Sequence, residues 1–199
     1  RNFKYINFDF NNYKFLLINT NIEHNLADSA YNERVKECRE ALNVINKKYN
    51  KYNSLIEVEE NILNEFKSIL KEKIYNRALF VIQENQRTHD SANKISNSKL
   101  KEFGELMYKS HYGLKNLYEV SCKELDFLVE FTSNHEEIIG SRMMGGGFGG
   151  CTINLIKENF VDNFVDLVSQ AYLDKFHIKL NAFTVNIDNG ITIKNIYDF

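Results

Sequence analysis

The chain is predicted to be an α+β protein, with helices packed on one face of a mainly antiparallel sheet. Three observations predict this. Two strand-like runs open the chain, at residues 4–10 and 13–19. A block of amphipathic helical segments fills the middle. After Gly150 the rhythm changes to strand, helix and a strand–turn–strand unit.

The two opening strands meet at Asn11-Asn12, and Phe15-Leu16-Leu17-Ile18 reads as a strand buried on both faces. Asn19 through Ser29 is polar and loop-like. A helix is predicted from Asn32 to Tyr49, because Val35, Cys38, Leu42, Ile45 and Tyr49 recur at three- and four-residue steps. Asp28 or Ser29 is placed to cap its start. Ile62, Leu63, Phe66, Ile69 and Leu70 mark a second helix, and Ala78, Leu79, Val81 and Ile82 a third. Thr88 to Asn97 is polar and reads as a connecting loop. Leu100, Phe103, Leu106 and Met107 mark the next helix. Leu114, Leu117, Tyr118, Ser121, Leu125, Leu128 and Val129 mark another. A strand at 151–156 precedes a helix at about 159–176. Ala182 to Ile187 then alternates as a strand, Asp188-Asn189-Gly190 is a hairpin signal, and Ile191 to Ile196 is its partner.

The run from Ser141 to Cys151 is the most informative stretch. Five of the six residues from 145 to 150 are glycine, in a chain with nine glycines. Glycine loses backbone entropy on folding, so such clustering requires φ > 0 or a close approach. Successive N–H groups in a loop of this kind can form a concave anion nest. The alternative is a demanding turn without a ligand. Gly145, Gly147 and Gly150 satisfy G-x-G-x-x-G, but a strand rather than a helix follows, which excludes the dinucleotide reading. Cys151 stands where a Walker loop needs lysine.

Composition narrows the field. At 199 residues and 43% hydrophobic, the chain is one domain or a large piece of a bigger protein. Its net charge of −2 gives no general attraction to nucleic acid or anionic membrane, and no apolar run approaches a membrane span. No signal peptide is visible. The chain opens at Arg1 without methionine, as expected of a piece of a longer protein. There is no proline, so turns rely on Asn, Asp, Gly and Ser. Cys38, Cys122 and Cys151 form no close pair, which points to reduced thiols and a cytoplasmic location. His24, His89, His111, His135 and His177 lack metal-ligand spacing, so no metal ligand is assigned. His111 reads as a structural hydrogen-bonding residue. Arg142 either faces an anion or joins an ion pair. Tyr31, taken alone, reads as a residue covering the core near a helix start.

Several stretches, in order along the chain, together resemble one family. Gly145 to Gly150 and its flanks look like the third motif of the GHMP kinases, in the galactokinase version. Asn19-Thr20-Asn21-Ile22-Glu23-His24-Asn25-Leu26 and Ser29-Ala30-Tyr31-Asn32-Glu33-Arg34 resemble a galactokinase segment, followed by Glu37-Cys38. Arg77, Val81-Ile82, Glu84, Arg87-Thr88, Ser110-His111, Tyr118 to Cys122 and Glu124-Leu125-Asp126 continue the match.

The resemblance implies that residues 1–199 are the C-terminal domain of a galactokinase-like GHMP kinase, with a ferredoxin-like split β-α-β element. It implies transfer of the ATP γ-phosphoryl group to the C1 hydroxyl of galactose, with Mg²⁺ and ATP bound mainly by an N-terminal half absent from this sequence. That half would supply the catalytic Arg and Asp and the main phosphate loop. No catalytic residue is therefore assigned here, and Asp28 and Asp126 match no catalytic motif. Tyr31 is implied as the galactose contact. Gly145, Gly146, Gly147, Phe148, Gly149 and Gly150 are implied to lie beside the ATP phosphates, with Phe148 pinning the loop. The expected partners are galactose, ATP and the N-terminal domain, with no nucleic acid and no membrane. The chain alone is expected to fold, self-associate and not turn over substrate. A kinase for a related sugar such as N-acetylgalactosamine, and a catalytically dead sensor that regulates transcription, remain open.

Overall fold

The computed structural model describes residue 6, residues 10–22 and residues 27–186. The chain begins with strand β1 (Tyr13–Asn19) and enters a helical block. The block comprises α1 (Ala27–Tyr49), the short α2 (Glu60–Asn64), α3 (Glu72–Ser96), α4 (Leu100–Gly113), a π-helical turn (Leu114–Tyr118) and α5 (Lys123–Thr132). Strands β2 (Ile138–Met143) and β3 (Cys151–Lys157) follow, then α6 (Val161–Phe176) and β4 (Asn181–Val185). The sheet order is β2-β3-β1-β4, and every pairing is antiparallel. With helices between β1 and β2 and again between β3 and β4, this is the ferredoxin-like β-α-β-β-α-β arrangement. No helix among the described residues is long and apolar enough to cross a membrane.

Register decides which strand residues enter the core. Leu16 lies opposite Asn154, Ile18 opposite Thr152, and Asn154 opposite Ser141, so these side chains share one face. That face is closed by α5 and α6. Phe164, Val168 and Tyr172 recur every four residues along α6 and are fully buried with Leu16, Ile18, Leu128 and Ile156. Each such side chain contributes about 1.5–3 kcal/mol by leaving water. Asn154 is buried in the middle of this face and is satisfied there. It accepts from Ser141 Oγ at 2.6 Å and donates to the Leu16 carbonyl at 2.9 Å and to Thr152 Oγ1 at 3.1 Å. On the other face Phe15 and Leu17 are half-buried, and α3 and α4 lean over its β2 margin.

A second core joins α1 to α3, built on Ala41, Ile45, Leu63, Phe66, Ile74 and Ala78. The deepest positions of α1 are Arg34, Glu37, Ala41 and Ile45, whereas Val35, Cys38 and Leu42 are half-buried. The apolar stripe of α1 is thus rotated from its buried line, because two charged residues occupy that line.

Several elements differ from the sequence reading. Residues 88–96 continue α3 rather than forming a loop; they carry no apolar stripe because little covers them. The helix expected over Leu114 to Val129 is interrupted. Glu119 takes a left-handed conformation at φ 52°, and α5 starts afresh at Lys123. Helix α1 already includes Asp28 and Ser29, so neither precedes it as a cap. The second helix shrinks to five residues followed by turns. Strand β2, read only as the approach to the glycine run, pairs with β3 across a bulge between Ile138 and Gly140. The strand expected at 4–10 lies almost wholly outside the described residues, and the turn at 188–190 and the strand at 191–196 lie entirely outside them.

Helix α4 meets β2 backbone to backbone. A Cβ on Gly104 would lie 1.8 Å from the Ile139 carbonyl oxygen, and one on Gly140 would lie 2.6 Å from Gly104 Cα. Gly104→Ala is expected to lower stability by about 2–3 kcal/mol, because helix and strand must separate to admit a methyl group. Urea denaturation measures it. A loss under about 0.5 kcal/mol, the size of an ordinary surface change, would show that α4 slides freely.

Candidate functional site

The glycine loop connects β2 to β3 at one end of the sheet. Its base is closed by the Met144 N–H, which donates to the Cys151 carbonyl at 3.0 Å. Gly145, Gly147, Gly149 and Gly150 have φ of 83°, 86°, 145° and 80°, and Phe148 joins them at 61°. The clustering of glycine therefore has a backbone cause.

Two flanking segments grip the loop. On one side the Phe148 N–H donates to the Val120 carbonyl at 2.8 Å, and a Cβ on Gly147 would lie 2.0 Å from that same oxygen. On the other side Gly150 O accepts from both the N–H and the hydroxyl of Thr20, each at 2.9 Å. Gly149 passes so close to Ile22 that a Cβ would lie 2.9 Å from its carbonyl oxygen. Thr20 is itself fixed by the buried Tyr172 hydroxyl, which donates to its carbonyl at 2.9 Å. Phe148 packs on the small apolar cluster of Val120, Leu125 and Met143 and so anchors the loop. The tip is different. No atom lies within 4 Å of where a Cβ on Gly145 or Gly146 would sit. The base of the loop is thus held on both sides, while its Gly145-Gly146 tip is exposed.

Tyr31 stands on the first part of α1 and is 66% exposed. It covers no core. One turn further, Arg34 ties this helix to the segment that grips the loop. Its Nε donates to the Tyr118 carbonyl at 2.6 Å and its Nη2 to the Glu119 carbonyl at 2.9 Å. Arg77, fully buried on α3, donates to the Leu117 carbonyl and to Glu119 Oε2. Glu37 lies between the two guanidinium groups, 3.0 Å from Arg34 Nη1 and 3.2 Å from Arg77 Nε, with Lys73 at 2.7 Å. Burial pushes the Glu37 carboxyl up, but Lys73, Arg34 and Arg77 outweigh it and hold it below the usual carboxylate range. The Arg77 guanidinium holds Glu119 low as well.

His111 is buried beneath the start of the loop. Its Nδ1 accepts the Met143 N–H at 3.3 Å, and its Nε2 lies 3.3 Å from Asp126 Oδ1. Burial raises the Asp126 carboxyl, but the neighbouring His111, Ser121 and Lys115 prevail and keep it low. His111 thus joins the start of the loop to the first turn of α5. Arg142 points away from the loop into a cavity of about 240 Å³ between α3, α4 and the sheet. It lies 3.9 Å from Glu84 Oε1 and 3.4 Å from Ser110 Oγ, which makes it a structural ion-pair residue.

These depressed carboxyls set a pH dependence. Glu37, Glu119 and Asp126 have folded values below their ordinary 4.5, 4.5 and 3.8. Their contribution is complete above those values and is lost as pH falls through the lower folded ones. The urea midpoint is expected to hold from about pH 7 to about pH 5 and to fall steeply below about pH 4. A midpoint unchanged down to about pH 3 would contradict the network.

Sequence reasoning singled out the glycine loop but not Val120, Thr20 or Ile22 as the residues that hold it. The one signal for them was their place in stretches matching the family. Among the described residues, no group of three or more His, Cys, Asp or Glu side chains could hold a metal ion.

Known proteins match this arrangement. Residues 92–172 match the family described as GHMP kinases C terminal. A galactokinase of Clostridium acetobutylicum is 40% identical over 189 residues, covering 94% of this chain and 48% of that protein. A galactokinase of Clostridium beijerinckii is 41% identical over 179 residues, covering 89% and 46%. The crystal structure of Lactococcus lactis galactokinase complexed with galactose superposes with a TM-score of 0.83 at 33% identity, over 88% of this chain and 45% of that one. The chain spans about half the length of the curated relatives it matches. The chain thus carries a GHMP kinase C-terminal domain, and it is similar to galactokinases in sequence along nearly all of its length and in fold.

Proposed function

We propose that residues 1–199 form the C-terminal domain of a sugar 1-kinase that transfers the ATP γ-phosphoryl group to the C1 hydroxyl of galactose. The observation that carries this reading is the loop: an open Gly145-Gly146 tip on a rigid base, beside the helix that presents Tyr31. An exposed aromatic ring with a polar tip suits a sugar, which offers both C–H faces and hydroxyls. Backbone N–H groups at an open glycine tip suit phosphate oxygens.

Phosphoryl transfer depends on positioning and charge stabilisation more than on covalent chemistry. In this scheme Tyr31 orients galactose, and Gly145 to Gly150 shape the space beside the ATP phosphates. Mg²⁺ bound with ATP would offset phosphate charge, and the hard oxygen ligands it prefers would come mainly from the phosphates and the N-terminal half. The cationic group and the carboxylate that takes the sugar proton come from an N-terminal domain. The three unpaired thiols suit a cytoplasmic setting.

The test is galactose-dependent ADP release by this chain joined to an upstream galactokinase half, with glucose and N-acetylgalactosamine as comparison sugars. Preference for galactose is expected, and Tyr31→Phe is expected to raise the galactose KM about tenfold through one lost hydroxyl contact. The chain alone is expected to release no ADP. Preference for N-acetylgalactosamine would reassign the substrate. No turnover from a folded protein that binds both ATP and galactose would favour a sensor.

A further inference from the structure

The segment from Leu117 to Val120 combines two features that need a common explanation. It ends a π-helical turn, so its carbonyls lack partners within the helix. It also holds Glu119 at φ 52°, a conformation that costs a non-glycine residue about 1 kcal/mol or more. Both are resolved by the same pair of side chains. Arg77 takes the Leu117 carbonyl and the Glu119 carboxylate, and Arg34 takes the Tyr118 and Glu119 carbonyls. Three successive carbonyls are thereby locked, and the next one, Val120 O, is aimed at the Phe148 N–H and the bare Cα of Gly147.

We infer that Arg34, Glu37, Arg77 and Glu119 form a positioning device that sets the glycine loop. Because Arg34 lies one turn from Tyr31, the same device fixes the loop relative to the helix that presents this tyrosine. None of the four is a catalytic residue; they act through the Val120 carbonyl. A plain fold-stabilising network would not need to spend a strained residue beside the loop. The forked geometry matters, since Arg77 bonds Glu37, Leu117 and Glu119 from three separate nitrogens, a planar arrangement that the point charge of a lysine does not reproduce. The kinetic part of this inference rests on the proposed kinase reading; the structural part does not.

Hydrogen exchange of the Phe148 amide tests the structural part in this chain. Arg77→Lys and Glu119→Gln are compared with Lys94→Gln, which breaks a half-buried pair between the far part of α3 and Glu102 on α4. Glu119 is over half exposed, so its variant is not expected to unfold the chain. Phe148 exchange is expected to quicken about tenfold or more in both test variants, while the amide of Ile18 in β1 and the Lys94→Gln protein stay unchanged. Unchanged Phe148 exchange in a folded Glu119→Gln protein would overturn the inference. So would a parallel rise at Phe148 and Ile18, which would signal general destabilisation. In the kinase joined to its upstream half, Glu119→Gln is expected to lower kcat about tenfold with little change in galactose KM. If that protein phosphorylates no sugar, the kinase reading fails while the exchange result still decides the positioning role.

Discussion

Gly147→Ala is expected to lower the stability of the chain by about 4 kcal/mol and to abolish sugar-dependent ADP release in the assembled kinase. Two costs add. An alanine at φ 86° is forced into a conformation its Cβ opposes, for about 1–2 kcal/mol. Its methyl would also lie 2.0 Å from the Val120 carbonyl oxygen, so backbone must part from backbone, for a further few kcal/mol. The parting breaks the Phe148 to Val120 hydrogen bond and tilts the open tip. Gly146→Ala is the comparison, since no atom lies within 4 Å of its added carbon and its φ is not positive. It is expected to stay within about 0.5 kcal/mol of the parent, as an open surface substitution does. Urea denaturation of the two variants decides the matter. Equal losses would mean that the loop is not held where the structure holds it.

Arg77→Met is expected to cost about 3–5 kcal/mol, which can exceed a third of the stability of a typical domain. Methionine matches much of the volume, so packing is not the main loss. The loss is electrostatic. The guanidinium is fully buried, and its removal strands the Leu117 carbonyl and leaves the buried Glu37 with one fewer cation. Lys48→Met removes a cation from an exposed pair with Glu65 and is expected to change stability by no more than about 1 kcal/mol. The difference between these two substitutions isolates burial from charge. If Arg77→Met melts within about 1 kcal/mol of Lys48→Met, the buried pair is no more important than a surface one.

The sequence reading succeeded where apolar periodicity coincided with burial. It assigned β1 to residues 13–19, its observed span, from the apolar run Phe15 to Ile18, although that run is not buried on both faces: Leu16 and Ile18 are buried, whereas Phe15 and Leu17 are half-buried. It assigned α6 because Phe164, Leu167, Val168 and Ala171 lie on one side, although Leu167 proves exposed. It failed where burial is polar. Arg34 and Glu37 occupy the deepest line of α1, and a stripe drawn through hydrophobic residues passes beside them. It failed again where a helix is only lightly covered, as in residues 88–96 of α3. The break at Glu119 was hidden because its cause is two arginines distant in sequence. The glycine run announced itself through composition, yet the carbonyls that demand glycine, on Ile22 and Val120, have no signature in their own residue types.

Strand β1, one of the two inner strands of the sheet, is made well before its partners. Strand β1 pairs with β3 and β4, and its Leu16 carbonyl receives the Asn154 side chain across 138 residues. At roughly 5–20 residues per second, a ribosome needs roughly 7–28 seconds to deliver the second partner after the first. During that interval β1 is an apolar strand with two open edges, a template for any other strand it meets. The helices of the middle block close through local contacts and form long before it. The nascent chain therefore holds this apolar strand unpaired while the residues up to β3 are made, which gives a chaperone reason to shield it.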